Sequence, residues 1–237
     1  MKKLTIIVFL AILSGQVFSQ SKSYFTSGGE TIFSFASIDR DGKSTGNIMR
    51  FSPFFNVQGM YNYDATDNFG GFVGLTIRNI GFIYDEWEVS TNNPSNPDET
   101  KMLKKKFRTY NLGIPVGLKL GKMNKTFFYG GYEIEFPFNY KEKTFDGDHK
   151  DDKFNVWFSD RVEQFQHGFF AGIQMPWGTN LKFKYYLSNF HNTDYRDNNG
   201  NYPYKDFNAN IWYFSLSYNL LKNDKLDLPG DKDKEVY

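Results

Sequence analysis

The sequence predicts an all-β protein, an eight-stranded antiparallel up-and-down transmembrane β-barrel. Three observations carry that expectation. The periodic runs are long enough to cross a membrane, their apolar faces end in aromatic residues, and the connections alternate between short and long.

The first element is an address. Met1-Lys2-Lys3 is a positive n-region, Leu4 to Leu13 is an apolar run, and Val17 and Ser19 occupy the small-residue positions of a cleavage site, leaving Gln20 as the new N-terminus. This reads as a Sec-type signal peptide over residues 1–19. Its apolar run is well short of the ~20 residues a spanning helix needs. No Cys follows it to take a lipid anchor. The expected division is then 1–19 signal peptide, 20–221 barrel and 222–237 a polar periplasmic tail.

The mature chain repeats period two. In Ile48–Tyr63, Phe51, Phe55, Val57 and Tyr61 share a face opposite Arg50, Ser52, Asn56 and Gln58. Tyr110, Leu112, Ile114, Val116, Leu118 and Leu120 alternate with Asn111, Gly113, Pro115, Gly117 and Lys119. Phe128, Tyr132, Ile134, Phe136 and Phe138 stand opposite Glu133, Glu135 and Asn139, and Trp212, Phe214, Leu216 and Tyr218 opposite Tyr213, Ser215 and Ser217. With weaker runs included, the strands are Glu30–Ile38, Ile48–Tyr63, Phe69–Tyr84, Phe107–Leu120, Thr126–Tyr140, Gln164–Met175, Asn180–Phe190 and Asn208–Leu221. About 12 residues, rising ~3.3 Å each and tilted ~40°, span an apolar band of ~25 Å. Strands of soluble sandwiches usually stop at ~5–6 residues.

Short connections at 64–68, 121–125 and 176–179 alternate with longer ones at 39–47, 85–106, 141–163 and 191–207. That is the layout of short periplasmic turns and long extracellular loops. It places both termini in the periplasm and the protein in the outer membrane.

Composition narrows the function classes. Lys and Arg number 28 against 27 Asp and Glu, so there is no basic surplus for nucleic acid. Cysteine is absent, which removes disulfides, thiolate metal sites and cysteine nucleophiles. With 26 Phe and 16 Tyr at a mean hydropathy of −0.57, the chain is not built like an ordinary cytosolic enzyme.

Several segments resemble the small outer-membrane β-barrel proteins of Bacteroidetes, the PorT-like group. They are Gly28-Gly29-Glu30-Thr31-Ile32-Phe33-Ser34-Phe35, Arg50-Phe51-Ser52-Pro53-Phe54-Phe55-Asn56, Gly81-Phe82-Ile83-Tyr84-Asp85, Ile114-Pro115-Val116-Gly117-Leu118-Lys119 and Phe127-Phe128-Tyr129-Gly130-Gly131. The likeness spans nearly the whole mature chain and its motifs are those of barrel strands. It implies the fold and leaves the role open, since the group includes a factor tied to the type IX secretion system beside many members of unassigned role. The polar tail after Leu221 departs from barrels that end on an aromatic strand.

Seven charges fall on the expected lumen face: Arg50, Arg78, Lys119, Glu133, Glu135, Lys182 and Lys184. Strand position puts Arg50, Arg78, Glu133 and Glu135 in the extracellular half and the three lysines near the periplasmic end. Buried charges must be paired, so cross-lumen ion pairs plugging the barrel are favoured over an ion path. Eight-stranded lipid A-modifying enzymes place a Ser or His with an acid near the rim, where Ser188, His191 and Asp194 lie. Their spacing does not match the deacylase His-x-Ser arrangement, and in a strand Ser188 and His191 point to opposite faces. Asp146 to Asp152 is rich in carboxylates but lacks EF-hand spacing. No catalytic, cofactor-binding or metal site is expected.

The reading is an outer-membrane barrel of structural or partner-binding type, presenting extracellular loops as a component of an envelope complex, and not an enzyme. A narrow channel for small solutes is the alternative, followed by a lipid A-modifying enzyme. The expected partners are outer-membrane lipid and lipopolysaccharide, with other outer-membrane or periplasmic proteins as further candidates, and no nucleic acid.

Overall fold

Period-two alternation closes into a ring. The structure, a computed structural model, describes residues 22–40, 42–44, 48–91, 99–123 and 125–222. The leader and all of the expected tail except Lys222 lie outside the described residues. The strands are β1 Lys22–Arg40, β2 Lys43–Ser44, β3 Arg50–Ser52, β4 Val57–Asp64, β5 Phe69–Ser90, β6 Thr100–Gly121, β7 Phe127–Asp146, β8 His149–Trp157, β9 Gln166–Gln174, β10 Thr179–Tyr186 and β11 Phe207–Lys222.

They make eight staves, because β2, β3 and β4 all pair with β1 as one interrupted stave, and β8 and β9 both pair with β7 as another. All these pairings are antiparallel, and β11 returns to β1 from Thr26↔Lys222 to Arg40↔Phe207. Through the stretch from Phe69 to Ile77 of β5 every stave is paired on both sides, as strands surrounded by lipid require, whereas above it β3 pairs only with β1 and β8 only with β7 among the described residues. One end carries short turns, where Thr66 Oγ1 accepts from Asn68 and Phe69 N–H and a single 3-10 turn, Pro176–Gly178, joins β9 to β10. The other end carries the longer loops.

Near the turn end the wall faces outward with its apolar side. Leu112, Ile114, Val116, Leu118 and Leu120 of β6 are between 41% and 60% exposed, while Asn111 just before them and Lys119 among them are buried in the lumen. From Leu120 to Tyr110 the outward positions stay apolar, ~34 Å of strand at ~3.4 Å per residue and about 26 Å of height at ~40° tilt. Val73, Leu75, Phe169, Leu181, Phe183, Phe214 and Leu216 continue the exposed belt on other staves. A belt this wide has no place in water. It is the surface of a membrane-spanning barrel.

Above the belt the facing inverts. Ile32, Phe82, Tyr84, Phe107, Tyr140, Ile211 and Tyr213 point inward and form the apolar core, while Lys106, Arg108, Lys141 and Lys143 take outward positions in the ladder from β6 to β7. The expectation of a polar lumen throughout is therefore corrected: only the turn-end half is polar. Beyond the membrane the wall meets water outside and must bury its apolar side within, as a soluble barrel does.

Two expected loops are largely strand. β5, β6, β7 and β8 run well into 85–106 and 141–163, ending in a tight turn between Asp146 and His149 with Gly147 at φ 57°. Their charges read as loop because lysine and aspartate avoid strands, yet ladder hydrogen bonds hold such residues wherever the outer face is solvated. The expected continuous strand Ile48–Tyr63 is instead broken at 53–56. Asn56 bridges the gap: its C=O accepts from Glu30 N–H at 2.9 Å, its Oδ1 accepts from Asn79 N–H at 2.7 Å, and its Nδ2 donates to Ser52 C=O at 2.9 Å. The break turns Phe54 and Phe55 outward, with Phe55 at φ 63°.

Candidate functional site

The lumen is filled from two directions, by ions toward the turn end and by aromatic rings toward the loop end. The ionic layer begins with β5, whose alternation turns Thr76 and Arg78 inward. Arg78 Nε donates to Glu30 Oε2 at 2.9 Å, and its Nη1 donates to Glu133 and to Glu135 Oε1, the latter at 3.2 Å. Lys184 of β10 donates to Glu133 Oε2 at 2.7 Å and Glu135 Oε1 at 2.6 Å. Lys182 reaches Glu30 Oε1 at 2.6 Å. Neutral donors fill the remaining lone pairs: Thr76 on Glu133 at 2.7 Å, Asn111 and Tyr186 on Glu135 at 2.7 and 2.8 Å, and Ser215 on Glu30.

Three carboxylates thus meet three cations, none more than 7% exposed by side chain. Such a cluster offsets its desolvation only when every member is paired and hydrogen-bonded, and here each is. Gly113 makes the room, since a Cβ there would lie 2.6 Å from Glu133 Oε1 and also meet Thr76 Oγ1.

The expected residues divide. Arg78, Glu133, Glu135, Lys182 and Lys184 come together, so Lys182 and Lys184 do not sit apart near the turn end as strand position suggested. Strands tilt and stagger around a barrel, so positions equally far from strand ends lie at different heights. Lys119 is separate and lower, donating to Asp64, to Tyr24 Oη at 3.0 Å and to Asn62 Oδ1 at 3.2 Å.

Arg50 is outside the cluster. It donates to Asn79 C=O at 3.1 Å and Asn79 Oδ1 at 2.5 Å, beside the break at 53–56, where β3 has lost its ladder to β5. Glu30 is the member that sequence reasoning missed. Its parity matches Ile32, Ser34 and Ala36, which was the available signal, but it stood at the assumed start of its strand.

The second layer comes from the loops. Phe190, His191 and Tyr204 of the 187–206 connection, with Val162 of the 158–165 connection, drop into the mouth against Ile32, Phe82, Phe107, Tyr140 and Ile211. The last loop is thus not wholly presented outside, because its aromatic residues find their apolar surroundings within. His191 stacks on Tyr204 at 4.2 Å and 11°, and meets Phe107 and Phe190 edge to face at 4.7 and 4.9 Å. Neither ring nitrogen has a hydrogen-bond partner. Burial, then the nearby charges of Lys105 and Arg161, push its pKa well below the ordinary imidazole value. Glu142 sits over this layer, accepting from Tyr140 Oη at 2.9 Å and Lys105 Nζ at 2.5 Å, with Arg161 at 3.7 Å.

Between the ionic layer and the turn end lies a vestibule of about 500 Å³, counting space open to solvent, lined by Asn62, Lys119, Asn180, Arg78, Glu133 and Lys182. Its inner wall is the buried ionic layer.

Ser188, His191 and Asp194 do not form a nucleophile and base. Ser188 Oγ accepts from His167 N–H at 3.0 Å, and Asp194 N–H donates to Asn192 Oδ1 at 3.0 Å. In the carboxylate-rich hairpin Asp146 pairs with Lys101, and among the described residues no group of three or more possible metal ligands gathers.

No protein-family model matches the chain, and no curated protein does. Among solved structures it is similar to Ail, the attachment invasion locus protein of Yersinia pestis, in complex with the heparin analogue sucrose octasulfate (13% identity, 85% of this chain and 99% of that chain, TM-score 0.36). Neisserial surface protein A, NspA, is similar at 10% identity over 84% of this chain and 99% of that one, TM-score 0.36. The outer membrane protein OprG from Pseudomonas aeruginosa follows at 12% identity over 83% and 95%, TM-score 0.34. The eight-stranded ring stands on its own ladders.

Proposed function

We propose that this protein is an outer-membrane barrel with a closed lumen, a scaffold that acts through what its loop end presents and not by passing solute. Short turns at one end and long loops at the other support a turn end in the periplasm and a loop end outside, with export by the 1–19 leader. The observation that carries the reading is the filling of the lumen in two consecutive layers. A solute entering the vestibule would have to separate Arg78 and Lys182 from Glu30 and Glu133, then displace His191 and its surrounding rings. Separating one partner of a buried pair typically costs ~3–5 kcal/mol. No lipid A-modifying chemistry is proposed, because Ser188 and His191 are engaged in different places.

Planar-bilayer recording on the purified full chain tests the closed lumen. The wild type should show no steady conductance, while removal of 190–205 together with Glu30→Gln, Glu133→Gln, Arg78→Met and Lys182→Met should open a conducting state. Steady single-channel steps from the intact protein would move the channel reading ahead.

A further inference from the structure

The outer wall carries a feature that the filled lumen does not use. Lys106 and Arg108 of β6, Lys141 and Lys143 of β7 and Lys153 of β8 face outward on adjoining strands. The ladders set Arg108 opposite Lys141, Lys106 opposite Lys143, and Lys143 opposite Lys153. Like charges directly opposite in a sheet destabilise it, and three such pairs are placed side by side. None of the five makes an ion pair with a carboxylate among the described residues; the bridges near this end go to Lys101, Lys105 and Arg161 instead. Partial burial, then Arg108 and the neighbouring lysines (Lys153, Lys143 and Lys150 for Lys141; Lys106, Lys150 and Lys153 for Lys143), lowers the pKa of both Lys141 and Lys143. Arg108 lies over the Tyr110 ring at 4.5 Å, and its buried Nε has no hydrogen-bond partner.

What lies directly beneath narrows the ligand. Phe55, Tyr110, Phe138 and Trp157 form a continuous row of rings, with centroids 6.1, 6.2 and 5.9 Å apart in succession. Phe158 and Phe165 stand beside it, 72% and 64% exposed. This row tops the apolar belt, at the height where aromatic girdles meet headgroups. A ligand that satisfies both parts has multiple negative charges joined to long apolar chains.

We propose that this wall of β6, β7 and β8 binds a phosphorylated glycolipid of the outer leaflet, the phosphates on Lys106, Arg108, Lys141, Lys143 and Lys153 and the acyl chains over the aromatic row. The guanidinium of Arg108 offers a planar fork for a phosphate and the lysines supply point charges. Phosphate neutralises the like-charge pairs that the bare sheet leaves opposed. The inference rests on the outward placement of the loop end in the preceding reading and not on the closed lumen.

The test uses the full chain in vesicles of phosphatidylcholine containing either lipid A bisphosphate or its fully dephosphorylated form, with bound glycolipid counted by native mass spectrometry after extraction. The wild type should retain the bisphosphate at least tenfold better. Arg108→Gln with Lys141→Gln and Lys143→Gln should abolish that preference, whereas Lys122→Gln with Lys125→Gln at the turn end should keep it. In lipid-free detergent the triple variant should unfold at the same temperature as the wild type or higher, because repulsion has been removed. Equal retention of the two lipids, preference kept by the triple variant, or a lower unfolding temperature for it without lipid would each overturn the proposal. So would tight binding of a soluble sulphated sugar that displaces the lipid, which would assign the wall to an acidic polysaccharide. A conducting wild type would end the closed-lumen reading and leave this result standing.

Discussion

At the residue scale the decisive group is the ionic layer, and its pairings specify a non-additive response. Glu135 and Lys184 are both fully buried and touch at 2.6 Å. Glu135→Gln leaves three cations facing two carboxylates, and Lys184→Met leaves the reverse. Each alone should cost about 3–5 kcal/mol, lowered somewhat by water reaching up from the vestibule, while the pair together should cost clearly less than the sum. Unfolding midpoints read by heat-modifiable gel mobility decide it, and simple additivity would mean the charges are independently hydrated. Part of this layer was legible because alternation is local: Arg78, Glu133, Glu135, Lys182 and Lys184 each reveal their facing through immediate neighbours. Their heights were not legible, because stagger is a property of the closed ring. Arg50 had lumen parity too, and nothing in its own segment announced that Asn56 would interrupt the ladder and turn it to Asn79.

At the element scale the sequence shows the belt clearly and its upper limit poorly. Leu112 to Leu120 alternate cleanly, so the lipid face of β6 could be read directly. Lys101 to Arg108 carry Leu103 and Phe107 at inward parity, but the consecutive Lys104, Lys105 and Lys106 break the alternation, and the stretch reads as loop until water is recognised as the outer solvent there. That boundary can be measured. Val116→Arg, outward and 56% exposed within the belt, should cost about 2–4 kcal/mol near the membrane midplane. Met102→Arg, outward and 58% exposed on the same strand above it, should stay within about 0.5 kcal/mol as an ordinary surface change. Ser215→Arg would overfill the lumen beside Glu30 and Lys182, so its cost comes from crowding and not from lipid. Folding efficiency into phosphatidylcholine vesicles separates these cases, and equal tolerance at Val116 and Met102 would remove the membrane boundary from between them.

At the scale of the whole molecule, one strand set serves two solvents, with lipid outside a polar lumen below and water outside an apolar lumen above. The loop-end plug joins the two behaviours, and His191 makes it sensitive to acid. The folded barrel holds this imidazole neutral among Phe107, Phe190 and Tyr204, with the positive charges of Lys105 and Arg161 opposing its protonation. The unfolded chain protonates it near pH 6.5. Above that pH both states leave it neutral and it contributes no slope. Below it the unfolded state binds a proton that the folded state refuses, so stability falls as pH falls, by at most about 1.4 kcal/mol per pH unit for one proton. His191→Phe removes the titration and keeps an aromatic ring in the same surroundings. The difference in unfolding midpoint between wild type and His191→Phe should therefore widen in favour of the variant from pH 7 down to pH 5. Carboxylate titrations elsewhere cancel in that difference. A constant gap across the range would place the ring in contact with water, and the mouth of the barrel would then be open where these side chains are packed.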